Sequence, residues 1–169
     1  VKYLDDGGEV ILTTIAGHVS KETQPNLLKL TEYMGLTATS DILCESEAAN
    51  YYQASYYIIP KVQEAGFMAN TQLGSYNLYS VLSHPIKETG AENRTVSPLL
   101  KTSASAYVYK ENATADDIKN AKKEVFNIAY ESVIANSETG ETAGRLTWFS
   151  SYAFFSDEVA TMGAANSLV

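Results

Sequence analysis

Residues 9–16, Glu-Val-Ile-Leu-Thr-Thr-Ile-Ala, form an unbroken β-branched apolar run. The run lacks the alternation of a strand wetted on one face. It reads as a strand buried on both faces of a parallel sheet, although pattern alone leaves a buried helix segment open. Residues 25–34 then carry helical spacing: Pro25 fits a first turn, Leu27, Leu30 and Met34 recur on one side, and Gly35 supplies a stop. Residues 37–39 and 42–45 are short strand candidates around an Asp41 turn. Upstream, residues 1–8 (VKYLDDGG) read as the last turn of a helix with Gly7 or Gly8 as a left-handed cap. Helix, strand, helix and strand within 45 residues point to α/β architecture. An opening that lacks Met and lies inside a helix end predicts a fragment of a longer, membrane-anchored protein.

The remainder is less regular. A long excursion over 48–94 carries short strands at 56–59 and 78–82, with Pro60 and Pro85 as breakers. Residues 95–110 read as a strand pair or a long bent strand. Thr114-Ala115-Asp116-Asp117 resembles a capping box and opens a helix with Ile118, Ala121 and Val125 on one face. Residues 125–135 are strand-like, 136–144 (NSETGETAG) a polar loop, and 145–150 the clearest late strand. Ser156-Asp157-Glu158 supplies an N-cap and an acidic first turn for a last helix. One domain over residues 1–169 accounts for this length.

With 45% hydrophobic and 19% charged residues, the chain has a globular composition, not a disordered one. The net charge of -8, with no Lys/Arg cluster, argues against a nucleic-acid partner and a basic membrane-surface patch. Cys44 is the single cysteine, so no intrachain disulfide and no multi-thiolate metal site can form. No apolar run approaches the roughly 18 residues of a membrane span.

Reactive chemistry finds little support. Cys44, in Ile42-Leu43-Cys44-Glu45-Ser46, lacks the flanking glycines of a nucleophile turn, and Glu45 opposes a thiolate. It reads as a small buried strand residue. Ser103, Ser150 and Ser151 lie outside any G-x-S-x-G pattern and read as turn or capping serines. His18 and His84 are the available bases, and neither lies in a metal-binding spacing. Asp5-Asp6 and Asp116-Asp117 fit helix termini better than a calcium loop, and no phosphate-cradling glycine loop is present. No catalytic, metal or cofactor site is predicted. Asn93-Arg94-Thr95 and Asn112-Ala113-Thr114 match glycosylation sequons by sequence alone.

Tyrosine is the compositional oddity, with 12 Tyr against 5 Phe and 1 Trp. Tyr offers a large contact area with a hydrogen-bonding tip, which suits recognition. Tyr51, Tyr52, Tyr56 and Tyr57, together with His18, Ser151 and Tyr152, are the candidate binding surface. The competing reading packs these tyrosines into a half-buried strand, where adjacent Tyr pairs must point in different directions.

Three ordered segments resemble one family: Tyr3 through Leu12 (YLDDGGEVIL), Val96 through Tyr107 (VSPLLKTSASAY) and Gly144 through Asp157 (GRLTWFSSYAFFSD). Together they resemble the extracytoplasmic domain of GldG-like, gliding-motility-associated ABC transporter auxiliary proteins. The resemblance implies an α/β, three-layer flavodoxin-like or glutamine-amidotransferase-like domain, with a mostly parallel sheet truncated at its N-terminal side. It implies attachment outside a bacterial membrane through flanking segments, with an ABC-2-type permease and an ATPase as partners.

The expected function is a non-catalytic binding or scaffold domain of a transport accessory protein, acting on an unknown ligand or cargo. Its surface is expected at the strand C-terminal ends, where the 17–24 and 150–156 loops should lie. A hydrolase or amidotransferase-like enzyme on the same scaffold, and a purely structural module such as a homodimer, are the alternatives.

Overall fold

The computed structural model describes residues 1–110, 112–135 and 142–161. The chain opens with helix α1 (Lys2–Asp5). Gly7 follows at φ +94°, and its N–H and that of Gly8 return to the carbonyls of Leu4 and Tyr3. This left-handed turn ends the helix and launches strand β1 (Glu9–Thr13). Helix α2 (Pro25–Tyr33) has Pro at its first position and stops before Gly35 at φ +80°. Strands β2 (Leu36–Ala38) and β3 (Ile42–Glu45) complete the predicted opening.

The excursion holds four short strands, β4 (Tyr57–Ile58), β5 (Lys61–Val62), β6 (Ser80–Val81) and β7 (Ile86–Glu88). Strands β8 (Arg94–Lys101) and β9 (Ala106–Tyr109) follow, then helix α3 (Ala115–Asn120). The long strands β10 (Asn127–Ala135) and β11 (Thr142–Phe149) precede helix α4 (Asp157–Thr161). The capping box forms as read: the Thr114 hydroxyl accepts from the Asp117 N–H, and the Asp117 carboxylate accepts from the Thr114 N–H. Ser156 Oγ likewise accepts from the Val159 N–H at 3.3 Å. Of the predicted 136–144 loop, 136–141 lie outside the described residues, and 142–144 already belong to β11.

The sheet topology corrects the expected architecture. A five-stranded sheet runs β1-β11-β10-β8-β5, joined by three two-stranded ribbons, β2·β7, β3·β9 and β4·β6. Among the described residues, β1·β11 is parallel and every other strand pairing is antiparallel. The protein is therefore built of small antiparallel strands around one mixed sheet, and is not a mostly parallel flavodoxin-like or amidotransferase-like three-layer fold. The reason lies in the connections. A parallel pair needs a crossover of a dozen or more residues, usually a helix. After α2, the described helices span no more than six residues, as in α3.

Two further expectations change. Residues 95–110 do form two strands, but they do not pair with each other: β8 lies between β10 and β5, and β9 pairs with β3. Ile118, Ala121 and Val125 do not form a docked face, because α3 ends before Ala121, buries none of its residues and leaves Val125 exposed.

The core lies on both faces of the sheet. Leu146 and Trp148 of β11 and Tyr130 and Ile134 of β10 meet Leu4, Leu28, Met34 and Leu36 on one side. Phe149, Ala129 and Leu99 meet Ile58, Met68, Leu78 and Phe154 on the other. The strand alternation predicts this division. Gly144 is required where α1 crosses β11, since a Cβ there would lie 2.0 Å from the Leu4 carbonyl oxygen. Strand β1, read as doubly buried, is an edge strand. None of its residues is buried, and Ile11 is 73% exposed.

Candidate functional site

The parallel strands β1 and β11 end together, with Thr13 opposite Phe149. Beyond them the chain forms a seam around β6 and Leu82. Leu82 donates its N–H to the Tyr56 carbonyl at 3.1 Å and accepts the Ala16 N–H at 3.0 Å. The Ser151 hydroxyl donates to the Val81 carbonyl at 2.5 Å, and the Tyr152 N–H donates to the Thr14 carbonyl at 2.6 Å. Leu82 adopts φ +52°, a left-handed conformation a branched residue holds only when its surroundings require it. These contacts tie the loop bearing His18, the ribbon bearing the tyrosines and the turn bearing Tyr152 to one end of the sheet.

The sequence-predicted residues divide within that assembly. Tyr56 (39% exposed), Tyr152 (57% exposed) and His18 reach solvent. Tyr52 is half-buried and stacks on the buried Tyr79 at 5.0 Å between centroids. Tyr57 packs with Ile59 and Ala153 against the small cluster of Tyr79, Val81 and Val159. Tyr51 is half-buried and bridges to Ile58. Ser151 is fully buried and structural. Sequence reasoning missed Phe155, which is 46% exposed and edge-packed on Phe149 and Phe154. The doubled Phe154-Phe155 was the available signal: alternation around a turn turns one ring inward and leaves the other outside.

Directly beneath this end lies a buried polar chain. The Trp148 indole N–H donates to Thr14 Oγ1 at 2.9 Å, and Thr14 Oγ1 lies 2.7 Å from His84 Nε2. His84 Nδ1 is 3.2 Å from the Pro85 carbonyl oxygen, which can only accept. Nδ1 therefore carries the proton and Nε2 accepts from Thr14. Burial, opposed by the Pro85 hydrogen bond, lowers the His84 pKa from 6.5 to about 4. Ser80 and Ser83 pair at 2.7 Å nearby in sequence, and Ser150 Oγ is buried without a hydrogen-bond partner.

A second buried polar group lies behind β3. The Glu45 carboxylate accepts from the Ser103 N–H at 2.8 Å, and from the Ser103 and Ser105 hydroxyls at 2.7 Å each. Asn50 Nδ2 donates to both hydroxyl oxygens. Cys44 is buried beside it, opposite Tyr107, and burial pushes its thiol pKa up. Among the described residues, neither histidine's hydrogen bonds reach Cys44, Ser103, Ser150 or Ser151.

No described group of three or more His, Cys, Asp or Glu side chains is gathered to hold an ion, and no described helix is long and apolar enough to cross a membrane. The sequon asparagines Asn93 and Asn112 both sit at positive φ, +56° and +62°, as turn residues. A cavity of about 560 Å³ lies under α3, floored by Tyr107, Val108 and Phe126. Its acidic rim groups are already engaged, Asp117 by Thr114 and Glu124 by Lys122.

No family model and no curated protein matches this sequence. A solved structure described as "mmIFT52 N-terminal domain" is similar in fold, with a TM-score of 0.63 and 16% sequence identity. The match covers 98% of this chain and 63% of that one, so the chain spans under two thirds of that structure's length. At this identity the likeness carries the fold alone, and it accords with the mixed, largely antiparallel architecture.

Proposed function

We propose that this chain is a non-catalytic binding or scaffold domain that works by surface contact at the shared end of β1 and β11. The observation that carries this reading is the convergence of Tyr56, Tyr152 and the His18 loop on the β6–Leu82 seam. Three segments distant in sequence are locked there by backbone hydrogen bonds while large amphipathic rings stay exposed, an arrangement suited to recognition. The polar chemistry nearby favours the same reading. His84 is neutral and committed to Thr14 and Pro85, and the Cys44 thiol is buried with a raised pKa. The sequence resemblance supplies the context: the extracytoplasmic side of a bacterial membrane, in an ABC-type transport accessory protein beside an ABC-2-type permease and an ATPase.

The test is co-purification of the full-length protein with that permease and ATPase from detergent-solubilised membranes. Association is expected, and Tyr56→Ala/Tyr152→Ala should weaken it without lowering the melting temperature. A full-length protein that never associates, or one indifferent to the double substitution, would overturn the proposal.

A further inference from the structure

The contact surface has a chemistry of its own, and this inference rests on the contact role proposed above. Val159 of α4 is buried in one cluster with Tyr79 and Val81, against which Tyr57, Leu82 and Ala153 pack. Its neighbours Asp157 and Glu158 are therefore held at the rim of the cluster that Tyr56 and Tyr152 flank. Both are exposed, and among the described residues neither pairs with a cation. Phe155 presents its ring from the turn between Tyr152 and α4. Exposed aromatic faces thus stand beside uncompensated carboxylates, on a chain whose net charge is -8.

We infer that this surface takes an extended Lys- or Arg-bearing segment of a partner protein. The aromatic faces attract a cation through their quadrupoles, and the carboxylates add direct charge attraction. An anionic partner would meet repulsion from Asp157, Glu158 and the whole-chain charge. A purely apolar partner would strip water from two carboxylates without compensation.

Fluorescence anisotropy with a fluorescein-labelled decapeptide of alternating Gly and Lys tests this, against the same peptide with Gln in place of Lys. The Lys peptide should bind at least tenfold more tightly and weaken as salt rises. Tyr56→Ser/Tyr152→Ser leaves the charge unchanged and should cost about tenfold. Asp157→Asn/Glu158→Gln should cost a similar factor, whereas Glu92→Gln/Asp116→Asn, with equal charge change elsewhere, should stay within about twofold. Equal loss in the remote variant, no loss in the tyrosine variant or equal binding of the Gln peptide would overturn the inference. Tyrosine-dependent association with the permease without Lys selectivity would remove the cationic partner and keep the contact role. Lys selectivity without transporter association would do the reverse.

Discussion

His84 Nε2 lies 2.7 Å from Thr14 Oγ1, and neither side chain has meaningful contact with water. The imidazole is stable there only as a neutral hydrogen-bond acceptor. Its pKa falls from 6.5 in the open chain to about 4 in the fold. Between those values the unfolded chain binds the additional proton. Stability should therefore be complete above pH 6.5, decline as pH falls toward about 4, and level off below it, with a total loss of about 3 kcal/mol from this residue. Urea midpoints measured from pH 4 to 8 should show this slope, and His84→Gln should flatten it.

Glu45 is a buried carboxylate whose acceptor role closes the 102–106 turn against β3. Glu45→Ala leaves the Ser103 N–H and two serine hydroxyls without their acceptor. It should cost about 3 kcal/mol by chemical denaturation. Glu45→Gln keeps a carbonyl for the Ser103 N–H and should cost about half as much.

The crossing of α1 over β11 predicts a sharp asymmetry between glycines. Gly144→Ala drives a methyl group into the Leu4 backbone, which no side-chain rotation relieves, and should cost about 3 kcal/mol. Gly74→Ala meets nothing within 4 Å, and its midpoint should shift by no more than about 0.5 kcal/mol.

Cys44 should be silent toward thiol reagents in the folded protein. It is buried, and burial raises its pKa, so the reactive thiolate is scarce and shielded. Labelling with an aromatic disulfide should follow global unfolding across a denaturant series. Rapid stoichiometric labelling under native conditions would contradict this burial.

Local chemistry made much of the chain legible. Gly7, Pro25, Gly35, the Thr114–Asp117 box and Ser156 each mark a helix end through contacts within a few residues. Strand pairing was not legible, because a strand's partner is chosen by residues far along the chain. The 95–110 segment carries β propensity in both halves, yet nothing in it specifies that β8 meets β10 while β9 meets β3. The apolar run in β1 correctly indicated a parallel partner but not an edge position. In the candidate site, the tyrosine cluster was visible; which ring stays outside was not, because Tyr56 ends the turn before β4 while Tyr57 begins the strand and packs inward. The acidic pair at α4 was legible as a helix start; that it borders the aromatic surface depends on Val159 docking from the far end of the chain.

The parallel pairing of β1 with β11 also gives the domain a mechanical character. The chain enters β1 at Glu9 and leaves β11 at Phe149, so tension between these points pulls the two strands lengthwise in opposite directions. The five register pairs from Glu9–Arg145 to Thr13–Phe149 then carry the load together instead of opening one after another. Lengthwise pulling on such a joint must break several of these backbone contacts at once.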